Sequence, residues 1–136
     1  CESVRVPMLL DPVSGFKAER IRGIAGGFTA IKPNLLEAEA LTGFSDPALA
    51  AGRLLEWGVR QVYISMGEEG VYFADRVVRG HLPAAPLTPR DTTSAGDALT
   101  AGIALGMLKK LDTEACARSG LAVVSDYLIA QGGVLR

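Results

Sequence analysis

Short apolar runs that end in a polar turn and hand the chain to a helix recur along this sequence, and this alternation restricts the fold more than any other feature. Val4 to Leu10 is such a run, closed by Asp11-Pro12, and it predicts a buried strand ending in a turn. Ser14 then caps a helix with apolar positions Phe16, Ile21, Ile24 and Ala25, stopped by Gly26-Gly27. The unit repeats. Phe28 to Ile31 is a second run closed by Lys32-Pro33, and Asn34 opens a helix through Leu41 that ends at Gly43. Asp46 as N-cap and Pro47 at the first helical position start a further helix that reaches Trp57, with Gly58 beyond it. Val59 to Met66 predicts the next strand. Gly67 to Gly70 reads as a turn, and Val71 to Ala74 and Val77 to Leu82, separated by Asp75-Arg76, read as hairpin strands. A Pro-rich connector, Pro83 to Pro89, leads to two closing helical patterns, Ser94 to Lys110 and Thr113 to Ala130.

Strands that alternate with helices call for an α/β fold, a mostly parallel sheet with helices on both faces and right-handed crossovers. The 136 residues, 49% hydrophobic and 21% charged, suffice for one compact core. Trp57, Met66 and Met107 lie on apolar faces and are expected in it, while Gly102 and Gly106 predict close helix packing. The first strand begins almost at Cys1, so the chain reads as the later part of a longer α/β domain.

Charge narrows the partners. A formal net charge of −1 and the absence of a Lys/Arg run argue against a nucleic-acid polymer and against a membrane surface, leaving a small molecule. Cys1 and Cys116 exclude a disulfide framework, and with the single His81 they cannot build a zinc site. A reduced cytoplasmic setting is the expectation. No basic segment followed by an apolar one opens the chain, and Ala98 to Leu108 is too short to span a bilayer.

The chemistry concentrates in "DTTSAGDALTAG", residues 91 to 102. A helix N-terminus presents unpaired backbone N–H groups and the positive end of the macrodipole, so Ala95, Gly96 and Asp97 can offer amides to an anion. Asp97 would sit beside that anion and could take a proton from an attacking hydroxyl; its simpler role is to favour the helix dipole. Thr92, Thr93 and Ser94 could equally be caps. Neither GxxxxGK[ST] nor a strand followed by GxGxxG occurs, so a P-loop or dinucleotide site lacks its residues.

This stretch resembles the C-terminal signature of the PfkB/ribokinase carbohydrate kinase family, close to D-T-x-G-A-G-D before a helix, with Ser94 in place of the usual first glycine. Three further segments match in order: "DPVSGFKAER" (11 to 20), "KPNLLEAEALTG" (32 to 43) and "VYISMGEEGVYF" (62 to 73). The first two are worded most like members that act on pseudouridine. The resemblance implies a ribokinase-like three-layer α/β/α fold. Residues 1 to 136 would be the ATP-binding and catalytic portion of a kinase that phosphorylates a sugar or nucleoside hydroxyl.

It also implies roles. Asp97 would be the base, with the amides of Ala95, Gly96 and Asp97 as the anion hole for the transferred phosphoryl group. Ser65, Gly67, Gly70 and Ser94 would line the nucleotide side, although the turn could also be an ordinary hairpin. Asn34 and Glu37 would help hold Mg2+ through water, or else act as a helix cap and a solvated first-turn acid. Asp91 and Thr93 match positions that bind a monovalent cation, K+, in many relatives. Asp11 is either a carboxylate near the metal and nucleotide or an Asp-Pro turn, and Lys32 either neutralises phosphate or is solvated. Substrate contacts, and any homodimer interface, would fall in the half before Cys1. A chain of these residues alone is expected to turn over weakly or not at all. A ribokinase- or fructokinase-like enzyme, or a truncated nucleotide-binding module without catalysis, are the competing readings. A flavodoxin-like binding domain is disfavoured by the two helices after "SAGD".

Overall fold

Strands β1 (Leu9–Leu10), β2 (Ala30–Ile31) and β3 (Gln61–Ser65) run parallel, as their helical connections require. They belong to a computed structural model that describes residues 8–10, 18–84, 87–88, 95–130 and 134–135. Helix α1 (Ala18–Ile24), extended by one 3-10 turn to Gly27, connects β1 to β2; α2 (Leu35–Thr42) and α3 (Pro47–Glu56) connect β2 to β3. After a tight turn at Gly67–Glu69, β4 (Val71–Ala74) and β5 (Arg79–Leu82) follow antiparallel, so the sheet order is β1-β2-β3-β4-β5. The result is an α/β fold whose five-stranded sheet is mixed: parallel where helices link the strands, antiparallel where short turns do.

Local sequence accounts for the boundaries. Gly43 closes α2 in the left-handed region (φ 83°), and its N–H donates to the Glu39 carbonyl, as a C-terminal glycine should. Pro47 opens α3, but the Asp46 side chain makes no capping hydrogen bond, contrary to the role the sequence suggests for it. The connector also departs from expectation. Leu87–Thr88 forms β6 and pairs antiparallel with β7 (Val134–Leu135), a two-residue ladder too short to leave a periodic signal.

The pleat divides the core into two. Val62 and Ile64 of β3 join Ile31 in a cluster filled by Ile21 of α1, Ala38 and Leu41 of α2 and Leu54 of α3. Tyr63, between them, faces the other way with Ala30, Val71 and Phe73, onto Leu99 and Ile103 of α4 (Ala95–Leu108) and Ala117 of α5 (Thr113–Ala130). Three layers result, with α1 to α3 on one face and α4 and α5 on the other. Met107 is buried, and Trp57 and Met66 pack half-buried against the first cluster, as the sequence predicts.

Helices α4 and α5 are antiparallel and almost touch. A Cβ on Gly102 would lie 2.6 Å from the Gly120 Cα, and one on Gly106 3.0 Å from the Cys116 Cα. Ser119 Oγ donates to the Gly102 carbonyl at 2.8 Å across this seam. Lost helix propensity of about 1 kcal/mol per glycine is thus offset by close backbone contact. Where α4 ends, Lys110 adopts φ 59°, with Lys110 N–H bonded to the Met107 carbonyl and Leu111 N–H to the Gly106 carbonyl. This is a Schellman cap with lysine at the position glycine usually takes.

One polar tie fixes the end of the sheet where β4 hands over to β5. The Asp75 Oδ1 accepts the N–H groups of Val77 and Val78, each at 2.7 Å, and its Oδ2 accepts the buried Thr113 hydroxyl at 2.6 Å. Burial opposes the Asp75 charge, but the bonds from Thr113, Val78 and Val77 outweigh it and hold the carboxyl below the usual range. The first turn of α5 is thereby pinned beside the start of β3, since Ala74 pairs with Val62. Near it Tyr63 stays a neutral phenol, its pKa pushed up by burial and then by Cys116, with its hydroxyl bonded to Gln61 Oε1 at 2.9 Å.

Candidate active site at the strand ends

At the opposite end of the sheet the three parallel strands terminate, and open α/β sheets bind ligands outside such carboxyl ends. β2 runs out through Lys32 and Pro33 into α2, and β3 runs out through Met66 into the glycine turn. The two exits are stitched together: Ser65 N–H donates to the Pro33 carbonyl at 3.0 Å, and Asn34 and Ser65 form a parallel bridge. Two segments separated by some 30 positions in the chain thus meet at one point.

Asn34 and Glu37 form a full capping box. Asn34 Oδ1 accepts the Glu37 N–H at 2.7 Å, and Glu37 Oε1 accepts the Asn34 N–H at 2.8 Å. Both expectations for Asn34 hold its side chain at the helix start, and the structure shows the capping one directly. Glu37 is half-buried in the box rather than a freely solvated acid. Could this pair serve magnesium? Among the described residues no group of three or more His, Cys, Asp or Glu side chains could cage a metal, and Glu37 Oε2 has no described partner. One carboxylate oxygen beside a capping amide fits only a cation that keeps most of its water shell, as magnesium does.

The turn after β3 is built on its glycines. Gly67 (φ 58°) and Gly70 (φ 100°) both occupy the left-handed region, with Met66 N–H bonded to the Gly70 carbonyl at 2.8 Å and Gly70 N–H to the Gly67 carbonyl. Their surroundings differ. A Cβ on Gly70 would lie 1.9 Å from the Leu82 carbonyl oxygen, whereas one on Gly67 would meet open space. Gly67 therefore leaves its backbone accessible, and Gly70 locks the turn against the end of β5. His81 on β5 adds a brace that sequence reasoning missed, its Nε2–H donating to the Glu69 carbonyl. No local motif announces it, because the pairing of Tyr72 with His81 is set by hairpin register.

Lys32 is 4% exposed, so it is not the solvated lysine that its sequence context allowed. Alternation along β2 sends Ile31 to the α1–α3 face and Ala30 to the α4–α5 face. Lys32, next in line, shares the Ala30 side.

α4 arrives at this end because α5 starts at the other. With Thr113 pinned beside Asp75 and α4 antiparallel to α5, the 14-residue α4, about 21 Å long, runs back toward the strand termini. Its first turn carries Ala95, Gly96 and Asp97; Asp97 is exposed, and a Cβ at Gly96 would meet nothing within 4 Å. Asp11, Asp91, Thr92, Thr93 and Ser94 lie outside the described residues. Of the remaining candidate residues, Asn34, Glu37, Ser65, Gly67 and Gly70 are linked by the bridge and turn, and Ala95, Gly96 and Asp97 begin the helix that runs toward the same end.

Comparison with known proteins identifies the family and the fold. Residues 1–126 match the model of the pfkB family carbohydrate kinases. The chain is 36% identical over 110 residues to pseudouridine kinase of Escherichia coli, covering 75% of this chain and 34% of that protein. It is 35% identical to cytidine kinase of Thermococcus kodakarensis over 82% of this chain and 41% of that one. The structure of Arabidopsis thaliana ribokinase complexed with ribose and ATP superposes with TM-score 0.74 at 28% identity, over 88% of this chain and 40% of the other. The chain thus spans less than half the length of these relatives. No helix among the described residues is long and apolar enough to cross a membrane. The chain belongs to the pfkB family of carbohydrate kinases.

Proposed function

We propose that this chain is the ATP-binding and catalytic portion of a cytoplasmic kinase that transfers the γ-phosphoryl group of ATP to a hydroxyl of a sugar or nucleoside, with pseudouridine as the first acceptor to test. The observation that carries this reading is convergence: the starts of α2 and α4 and the β3–β4 turn all lie toward the strand ends of a pfkB-family fold. The 36% identity to pseudouridine kinase supports the acceptor, and cytidine kinase and ribokinase among the relatives keep other nucleosides and sugars as alternatives.

On this reading the amides of Ala95, Gly96 and Asp97 receive the transferred phosphoryl group, and the Asp97 carboxylate takes the proton of the acceptor hydroxyl. The glycine turn with Ser65 and Gly67 lets the nucleotide approach the backbone, and Ser94 lines the same side. Asn34 and Glu37 hold the water shell of magnesium, which when bound neutralises phosphate charge; Asp91 and Thr93 serve a monovalent cation. The buried Lys32 adds positive charge at the same edge.

The test is magnesium-dependent ADP release by the full-length protein over a panel of sugars and nucleosides, with Asp97→Asn alongside. Positioned proton transfer contributes about 10²-fold or more, so the variant should lose at least that in kcat while its melting temperature stays unchanged. A loss within a factor of about three removes Asp97 from the role of base. ATP-induced thermal stabilisation of the full-length protein without ADP release on any acceptor would select a nucleotide-binding module without turnover instead.

A further inference from the structure

The brace from β5 to the glycine turn reaches further than the hairpin it closes. Tyr72 and His81 are directly paired on β4 and β5, so their side chains share one face of the sheet, the face on which Tyr72 packs against the α1–α3 cluster. From that face the His81 Nε2–H donates to the Glu69 carbonyl. This carbonyl is one half of a planar peptide unit whose other half is the Gly70 N–H, and that N–H donates to the Gly67 carbonyl at 3.1 Å. The plane is therefore held at both ends. A continuous run of bonds links His81, through the 69–70 peptide, to Gly67, where a Cβ would meet nothing within 4 Å.

The 69–70 unit is also the one whose orientation the chain itself leaves open. Gly70 stands at φ 100°, ψ −137°, and a peptide that ends in glycine can turn over without a side-chain clash. Turning it would aim the Glu69 carbonyl away from β5 and withdraw the Gly70 N–H from Gly67. The neighbouring units are tied by backbone alone, Glu69 N–H to the Met66 carbonyl at 3.1 Å and Met66 N–H to the Gly70 carbonyl at 2.8 Å. Neither bond fixes the plane between them. A donor from β5 on the Glu69 carbonyl does, and bonds joined in series strengthen one another.

We propose that His81 is a positioning residue for the nucleotide: by holding the 69–70 peptide it keeps the Gly67 backbone in the form that meets ATP. It touches no reacting atom and acts through Glu69 and Gly70. This rests on the reading of Ser65 and Gly67 as the nucleotide side of the site.

Full-length protein titrated with Mg·ATP in a calorimeter tests it, as wild type, as His81→Phe, which keeps a ring and loses the donor, and as His81→Gln, which keeps an N–H donor. The dissociation constant should rise about fivefold in His81→Phe, as loss of one hydrogen bond predicts, and return to within about twofold of wild type in His81→Gln. In steady-state ADP release the KM for ATP should follow, with kcat and the acceptor KM unchanged. Without nucleotide, the Gly70 N–H should exchange with solvent faster in His81→Phe than in wild type or His81→Gln, read by NMR. Melting temperatures verify each fold, and His81→Ala replaces His81→Phe if the larger ring prevents folding. The inference is overturned if the donor-less variant binds Mg·ATP as wild type does, if His81→Gln fails to restore affinity, or if Gly70 exchange is unchanged. A parallel fall in kcat and acceptor affinity overturns it too, in favour of a purely structural brace. Wild-type protein that binds no Mg·ATP overturns the nucleotide reading and this inference together, whereas equal binding by wild type and His81→Phe overturns the inference alone.

Discussion

The two ends of the sheet solve opposite problems with the same kinds of residue. At the strand termini the glycine turn opens backbone toward solvent, and α4 delivers an exposed acid on its first turn. At the other end Asp75 is surrounded by donors, Asp112 is occupied with a helix start, and the connection closes with a strained lysine. The acid that organises structure is saturated with hydrogen bonds, whereas the acid on the first turn of α4 faces water. Asp75 and Asp97 illustrate the two cases within one chain.

The sharpest way to break the comparison is at the glycine turn. Gly70→Ala puts a methyl into the Leu82 carbonyl and adds left-handed strain, so it should cost roughly 3–5 kcal/mol by denaturant melt. Gly67→Ala, with the same sign of φ but open space, should cost only about 1 kcal/mol. Equal costs would show that the turn is held by backbone conformation alone and not by contact with β5.

The structural end responds next. Thr113→Val removes a hydrogen bond to a charged carboxylate and should destabilise by about 1.5–3 kcal/mol at neutral pH. The sign with pH follows from the depressed Asp75 ionisation. Its contribution is present above the unfolded carboxylate range, near pH 4, and is lost as pH falls through the lower folded value. The gap between wild type and variant should therefore narrow in melts at acidic pH, and a constant gap would mean that Thr113 acts by packing.

The smallest expected effect is a gain. Lys110→Gly relieves a left-handed lysine and should stabilise by about 0.5–1 kcal/mol, net of the greater freedom of glycine in the unfolded chain. A loss instead would indicate that the lysine stem packs usefully at the helix end.

Much of this architecture is legible in the sequence because each element carries its own punctuation. Asn34 with Glu37, Gly43, Pro47 and the glycines of the turn all lie within one element of the boundary they set, so the order of strands and helices follows from local chemistry. The candidate residues between 34 and 70 come from motif resemblance, and the meeting of Asn34 with Ser65 follows from parallel pairing. What stayed hidden is long-range and single-residue. The bond from Thr113 to Asp75 spans 38 positions, the brace from His81 to Glu69 depends on hairpin register, and the β6–β7 ladder has no period to detect. The burial of Lys32 was equally hidden, since nothing around "KPN" says how far past the strand end the helices still cover the chain.

The seam between α4 and α5 has a consequence for how the molecule tolerates change. Because Gly102 meets Gly120 and Gly106 meets Cys116 backbone to backbone, the two helices are keyed at fixed positions and cannot slide. A residue added or removed in the exposed connection at 109–112 should therefore be absorbed there, leaving α4 and the acid on its first turn in place. A residue inserted within α4 between Asp97 and Gly102 would instead rotate that acid by about 100° and shift it by about 1.5 Å against the fixed seam.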